Sequence, residues 1–438
     1  MQVSVEKTSE LSRKMTVRVP EQAIKEKMDV RIKSLAREVK LDGFRPGKVP
    51  PQVVRKMYGD RIRGEITGDL IQSSYVEAIE SENLKPAGPP QIIPVEKPSA
   101  PDGFEYIADF EVYPVVNLDD LAKMQVSRAN GQVETADIEN MIESLRQQKK
   151  DWSAVERGAG NEDQITFHFS GVCEDENFTD GKVENHKLTL GSGQMIPGFE
   201  EELQGLATSN TKVFDIQFPE KYGNDKLSGK TAQFDIEVVS VEEPILPELD
   251  AEFIKGFGVD DGDLDKFRED IKRNLENELE QGIKRFVKNS VMDALYAKIE
   301  LNLPSVLIDQ EVEHLKEPYK ANAKRQNKNL EDIDLPTEMF EQRANRRVAL
   351  GLILAEIVQK NEIKVDDDRV RATLDAMARS YDSPEDVLKW YYDDKNRLAE
   401  IKQMTLEDQA VDWILGQVSV TDKTLSFDEL TKPQNKEA

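Results

Sequence analysis

The chain is poor in the residue types from which most catalytic and metal centres are made: of 438 residues, one is cysteine and three are histidine. Cys173 has no second cysteine to pair with, so no internal disulfide can form, and it reads as a structural thiol. His168, His186 and His314 are scattered along the chain, which argues against a metal cluster; neither a metal nor a cofactor is expected. No serine, histidine and acid stand in an order that marks a nucleophilic triad, and no repeat of fixed period is present. No stretch approaches the roughly 18 consecutive apolar residues of a membrane helix. The start, Met1-Gln2-Val3-Ser4-Val5-Glu6-Lys7, has no basic segment leading into an apolar run. A cytoplasmic protein with no secretory signal and no membrane partner is expected.

What the chain has in abundance is charge, mostly of one sign. With 33% charged residues and a net charge of −26, its surface should repel nucleic acid and anionic membranes unless cations are segregated somewhere. They are segregated. Between Arg31 and Arg63, ten Lys or Arg stand against three acids, a local excess of seven. Inside that stretch lies Gly43-Phe44-Arg45-Pro46-Gly47-Lys48-Val49-Pro50, whose glycines and prolines exclude a continuous helix or central strand and so project Phe44, Arg45 and Lys48 from a turn. It is not a nucleotide-phosphate loop, because Val49 follows Lys48 where a serine or threonine is required and the glycines are too close. Gly and Pro also punctuate ordinary helix connectors, so the residues alone leave both a connector and a contact loop open.

The 38% of apolar residues suffices for folded cores, and the length fits roughly two to four domains. Residues 1–112 read as α+β. Val3 and Val5, then Met15, Val17 and Val19, alternate as a half-buried hairpin. Ile24, Met28, Ile32, Leu35 and Val39 form one helical stripe between Glu21 and Lys40. Two further helical patterns use Val53, Val54 and Met57, then Ile62 to Ile79, which puts the basic loop at a helix tip; strands are expected at 91–95 and 104–112. Residues 113–158 read as a connecting arm with one helix, capped by Thr135 and carrying Ile138, Met141, Ile142 and Leu145. An arm of about forty residues is long for a free connection, so it is expected to pack along another domain.

Residues 159–243 are β-rich, with Phe167 and Phe169 on one strand face, His168 on the other, and Phe214, Ile216 and Phe218 alternating likewise. Residues 244–438 are helical. Apolar residues from Leu264 to Ile299 keep a three-to-four spacing, Pro304 opens a second helix, and stripes follow at 339–358, 370–377 and 398–415. Pro304, Pro318 and Pro336 are expected to interrupt any heptad seam, and 423–438 to fray. Periodicity alone leaves open a dimer surface or an open helical scaffold.

Two stretches carry family resemblances. Gly43 to Pro50 closely resembles GFRxGxxP, the signature by which trigger factors, the bacterial nascent-chain chaperones, attach to the ribosome near its polypeptide exit. Residues 162–241 resemble an FKBP-type prolyl isomerase through Phe169-Ser170-Gly171, Asn177-Phe178, Leu190-Gly191, Ile196-Pro197-Gly198-Phe199, Leu203, Gly205, Pro219, Tyr222-Gly223, Leu227, Gly229-Lys230 and Phe234. Carried over by position, the second resemblance implies a pocket lined by Phe169, Phe178, Met195, Ile196, Phe199, Tyr222 and Phe234, with the Ile196 N–H and the Tyr222 hydroxyl as donors to the substrate. Thr179 stands where many FKBPs have aspartate, Phe199 where many have tryptophan, and His186 near a position often aromatic.

The order of segments is that of trigger factors. It implies a multidomain α+β protein: a ribosome-binding α+β domain (1–112), an arm packing on the helical domain (113–158), an FKBP-like β-sheet domain with a short helix (159–243), and a large all-α domain that cradles substrate (244–438). The implied partners are the large ribosomal subunit near the exit tunnel, through Gly43, Phe44, Arg45, Pro46, Gly47 and Lys48, and nascent or unfolded polypeptides. A homodimer of the free protein stays open. The competing reading is a free prolyl isomerase whose flanking regions serve oligomerisation or targeting.

Overall fold

The structure, a computed structural model, describes residues 1–438 except 42–43, 45–47, 96–102, 175, 180, 221, 225–226, 327–334, 380, 382 and 433–438. In chain order the elements are β1 (Gln2–Lys7), β2 (Ser12–Pro20), α1 (Glu21–Glu38), α2 (Pro51–Ser81), β3 (Gln91–Pro94), β4 (Gly103–Glu111), β5 (Gln125–Asn130) and α3 (Thr135–Gln148). There follow β6 (Asp151–Ala154), β7 (Gln164–Cys173), β8 (Glu176–Asn177), β9 (Val183–Thr189), α4 (Phe199–Leu203), β10 (Thr211–Gln217) and β11 (Thr231–Ile245). The remainder is α5 (Ala251–Lys255), α6 (Leu264–Lys298), α7 (Ser305–Arg325), α8 (Glu338–Lys360), α9 (Asp367–Ala378), α10 (Pro384–Tyr392), α11 (Lys395–Leu415), β12 (Ser419–Thr424) and α12 (Phe427–Thr431). Two compact units result. One comprises residues 1–130, 283–425 and 432–438, the other 131–282 and 426–431.

In the first unit, β1 and β2 form the hairpin that their alternation predicts, with Val3 opposite Val17 and Val5 opposite Met15. The antiparallel sheet runs β1-β2-β4-β3. Its Met15, Val17, Tyr106, Ala108 and Phe110 share one core with Ile24 and Ile32 of α1 and with Val54, Ile62, Ile66 and Leu70 of α2. The fully buried Tyr106 hydroxyl avoids an orphaned polar group by meeting Ser74 Oγ at 2.9 Å and Ile71 O at 3.2 Å. The two helical patterns expected after Pro51 are one 31-residue helix. Val54, Ile62, Ile66 and Leu70 lie in register along it, and a Cβ at Gly64 or Gly68 would meet open space, so burial of the stripe outweighs the poor helix propensity of these glycines.

A second core of this unit joins Leu118, Leu121 and Val126 of the arm to Val291 and Leu295 of α6, Ile353 and Ile357 of α8, and Ala410 and Ile414 of α11. Pro318 does not end α7, which continues to Arg325 around it. Nor does the chain fray from Lys423. β12 pairs in parallel with β5, and the Arg128 guanidinium donates to both carboxylate oxygens of Asp422 at 2.7 and 3.1 Å. No helix among the described residues is long and apolar enough to cross a membrane.

In the second unit, α3 places Ile138, Met141, Ile142 and Leu145 against Ile254, Phe267, Ile271 and Leu275 of α5 and α6, so its stripe has its partner surface. Its cap is Glu134 rather than Thr135: Asp137 and Glu134 each accept the other's backbone N–H, a reciprocal capping box built from two acids. The sheet of this unit runs β10-β11-β7-β8, with β9 also on β7 and β6 on the far end of β11. β11 is its spine. Over 15 residues it pairs β10, β7 and β6 in turn, burying Ala232, Phe234, Ile236 and Val238 on one face.

Candidate functional site

The aromatic residues of the second unit meet where β7, β11 and α4 converge. Register puts Phe234 of β11 opposite both Phe214 of β10 and Gly171 of β7. Because Gly171 has no side chain, the ring of Phe178 folds back over it; a Cβ built there would overlap that ring. Phe178 then stands edge-on to Phe234 at 5.7 Å and to Phe218 at 5.8 Å. Phe199, the first residue of α4, drops into the centre with its ring 5.1 Å from Phe234 and 5.5 Å from Phe214. Gly198 permits this entry, since its φ of +89° is a left-handed conformation that costs a side-chain-bearing residue about 1–2 kcal/mol.

Of the seven pocket residues drawn from the sequence, the structure brings Phe169, Phe178, Phe199 and Phe234 into one ring cluster and packs Met195 and Ile196 against the same core. Phe199 (0% exposed) and Phe234 (3%) form its floor, whereas Phe169, Phe178, Met195 and Ile196 are half-buried and reach the surface. Tyr222 joins through an intermediary, Phe218, whose ring lies 4.7 Å from it. Phe218, which its alternation with Phe214 and Ile216 marks only as core, packs against Phe178 and Phe234 as well and so joins the cluster. His186 is the other addition, edge-on to Phe167 at 5.4 Å and to Phe169 at 5.6 Å. His168 lies away from the cluster, its Nδ1 accepting the Asn185 N–H at 2.9 Å. Thr179 holds the turn beside Gly171, its hydroxyl oxygen accepting the Gly171 N–H at 3.2 Å.

In the same unit, Asp163 is nearly buried and grips Arg157 with both oxygens, at 2.5 and 3.0 Å. Burial alone would push this carboxyl up, but the Arg157 hydrogen bonds, the Gly160 N–H and the Arg157 charge together draw it below the ordinary carboxylate range. The site is an apolar, aromatic cluster on the sheet, its buried rings flanked by half-buried ones. Such a surface suits a binding or strain mechanism rather than acid–base chemistry. Replacing Gly171 with alanine is expected to force the Phe178 ring off its seat and lower isomerase kcat/KM by about tenfold. Parallel measurement of the unfolding midpoint separates this from loss of fold.

The basic stretch lies in the other unit. Arg31 pairs with Glu65 at 3.1 Å, Arg55 with Asp29, and Arg63 with Glu21 at 2.6 Å. The Arg63 hydrogen bond is the main reason that the Glu21 carboxyl sits below its ordinary range. Among the described residues, Lys33, Arg37, Lys40, Lys48, Lys56 and Arg61 make no ion pair. Phe44 is 39% exposed and Lys48 is exposed. Gly43, Arg45, Pro46 and Gly47 lie outside the described residues.

Comparison with known proteins assigns each part of the chain to a family. Residues 1–145 match the family of bacterial trigger factor protein, 156–239 the FKBP-type peptidyl-prolyl cis-trans isomerase family, and 263–416 the bacterial trigger factor C-terminus. The trigger factor of Thioalkalivibrio sulfidiphilus is 44% identical, with 100% of both chains covered. That of Stutzerimonas stutzeri is also 44% identical, over 99% of this chain and 98% of its own. A solved structure of the trigger factor chaperone aligns with 95% of this chain and 99% of its own at 17% identity and a TM-score of 0.49, a likeness that adds nothing to the assignment. With full-length relatives at this identity and the three matched segments in order, the chain belongs to the trigger factor family and contains an FKBP-type peptidyl-prolyl cis-trans isomerase domain.

Proposed function

We propose that the protein is a cytoplasmic chaperone that docks on the large ribosomal subunit near the exit tunnel through Phe44, Arg45 and Lys48, flanked by Gly43, Pro46 and Gly47. There it receives nascent chains, shelters their apolar segments on its helices and isomerises their Xaa–Pro bonds. The observation that carries the docking is charge segregation: six cations without ion-pair partners among the described residues gather on α1, α2 and their connection, beside the half-exposed Phe44, in a chain of net charge −26. Cations held free of internal partners favour phosphate or acidic protein surfaces, and an aromatic among them supplies a desolvated anchor.

The isomerase needs no nucleophile. Its barrier of about 18–20 kcal/mol comes from amide resonance. A twisted amide is less dipolar than a planar one, so an apolar dish of Phe169, Phe178, Met195, Ile196, Phe199, Tyr222 and Phe234 favours it, while the Ile196 N–H and the Tyr222 hydroxyl orient the chain.

Substituting alanine for Phe44, Arg45 and Pro46 together is expected to abolish co-sedimentation with ribosomes at moderate salt, with the fold retained. A triple variant that pellets as well as the unsubstituted protein would overturn the docking and favour a free prolyl isomerase.

A further inference from the structure

The pocket's polar edge, the Ile196 N–H, belongs to no helix or strand. It sits in the turn from Leu190 to Gly198, which contains three glycines with φ of +88°, +65° and +89°. Such a turn has little intrinsic preference for one conformation, because glycine loses the most backbone freedom on ordering. Its ends are fixed. The Leu190 N–H donates to Asp163 O at 2.9 Å, and Phe199 is buried in the ring cluster. Its middle is held mainly by one side chain. Glu200 reaches back from α4, its Oε2 accepting the Gly191 N–H at 2.7 Å and its Oε1 accepting the Gln194 N–H at 3.1 Å and the Ser192 hydroxyl at 3.3 Å. Three donors converge on one carboxylate, and the residues immediately after the last of them are Met195 and Ile196.

We propose that Glu200 is a positioning residue of the isomerase, bracing the turn so that Met195 and the Ile196 N–H are held at the edge of the dish before substrate arrives. This inference rests on the pocket reading given above. The chemistry explains why a carboxylate is needed. Both oxygens must accept, and glutamine would turn an NH2 group toward one set of donors, keeping only part of the brace. Alanine would remove all of it. Because Glu200 is half-buried and the hydrogen bonds of its carboxylate run to the turn, its loss should loosen the pocket edge more than the fold.

The test uses the full chain and a proline-containing peptide. Misplacement of an orienting group costs about ten- to a hundredfold in rate, so E200A is expected to lose that much kcat/KM and E200Q to fall between it and the unsubstituted protein. Amide hydrogen exchange at Gly191 and Gln194 should quicken in the same order while the unfolding midpoint changes little. An E200A variant with full kcat/KM, an E200Q variant as slow as E200A, or a slowed E200A with unchanged exchange at Gly191 and Gln194 would each overturn the inference. Phe199→Ala measured alongside distinguishes the two readings. If it too retains full activity, the pocket itself is misassigned; if it alone is inactive, only the role of Glu200 fails.

Discussion

Phe199→Ala is expected to remove the acceleration of a proline-limited refolding step, leaving the client to isomerise at its uncatalysed pace of tens to hundreds of seconds. The ring is fully buried and touches Phe167, Phe169, Phe214 and Phe234, so truncation withdraws the floor on which the half-buried rim residues stand. Phe→Ala in a core costs about 3–5 kcal/mol. That is a large share of the roughly 5–15 kcal/mol that holds a domain together, and unfolding alone could silence the enzyme. Phe199→Leu resolves this. It keeps much of the volume and the apolar contact, and it should remain folded with a rate between the other two, since the dish loses its flat centre but not its floor. Unchanged acceleration by a folded Phe199→Ala protein would sink the pocket assignment.

How far these features could be read from sequence depended on how local their causes are. The β1–β2 hairpin, the stripe of α1 and the inward face of α3 follow from residues within one or two turns of each other, and the structure has them. The ring cluster was legible because the motif fixes the order of Phe169, Phe178, Phe199 and Phe234, though nothing local says that Gly171 is the vacancy over which Phe178 folds. Phe218 looked like any strand aromatic, since its pairing with Tyr222 depends on a turn whose path alternation does not specify. The β5–β12 ladder was the least legible. Arg128 and Asp422 are 294 residues apart, and neither six-residue strand has a pattern strong enough to announce a parallel partner at that distance. Thr135 is the better intrinsic cap, yet Glu134 takes the position. The winning arrangement uses two side chains where Thr135 would use one.

Excising residues 150–245 is expected to abolish prolyl isomerisation completely while leaving the delay of client aggregation intact. The entry and exit of this segment are neighbours. Asp151 pairs with Ile245, and Arg146 Nε donates to Pro247 O at 2.9 Å, so a short Gly/Ser linker can rejoin the chain at little entropic cost. The core of α3, α5 and α6 survives the cut, because Ile142, Ile254, Phe267, Ile271 and Leu275 all lie outside it. So do several large apolar side chains: Tyr319, Met339, Tyr381 and Trp390 are each about half exposed or more, and all belong to the stretch from α7 to α10. The Arg397 guanidinium lies over the Trp390 ring, 3.7 Å from its centroid. If aggregation proceeds in the excised protein as though no chaperone were present, while its helices remain folded by circular dichroism, client binding resides in the isomerase domain and the helical surface is not the cradle.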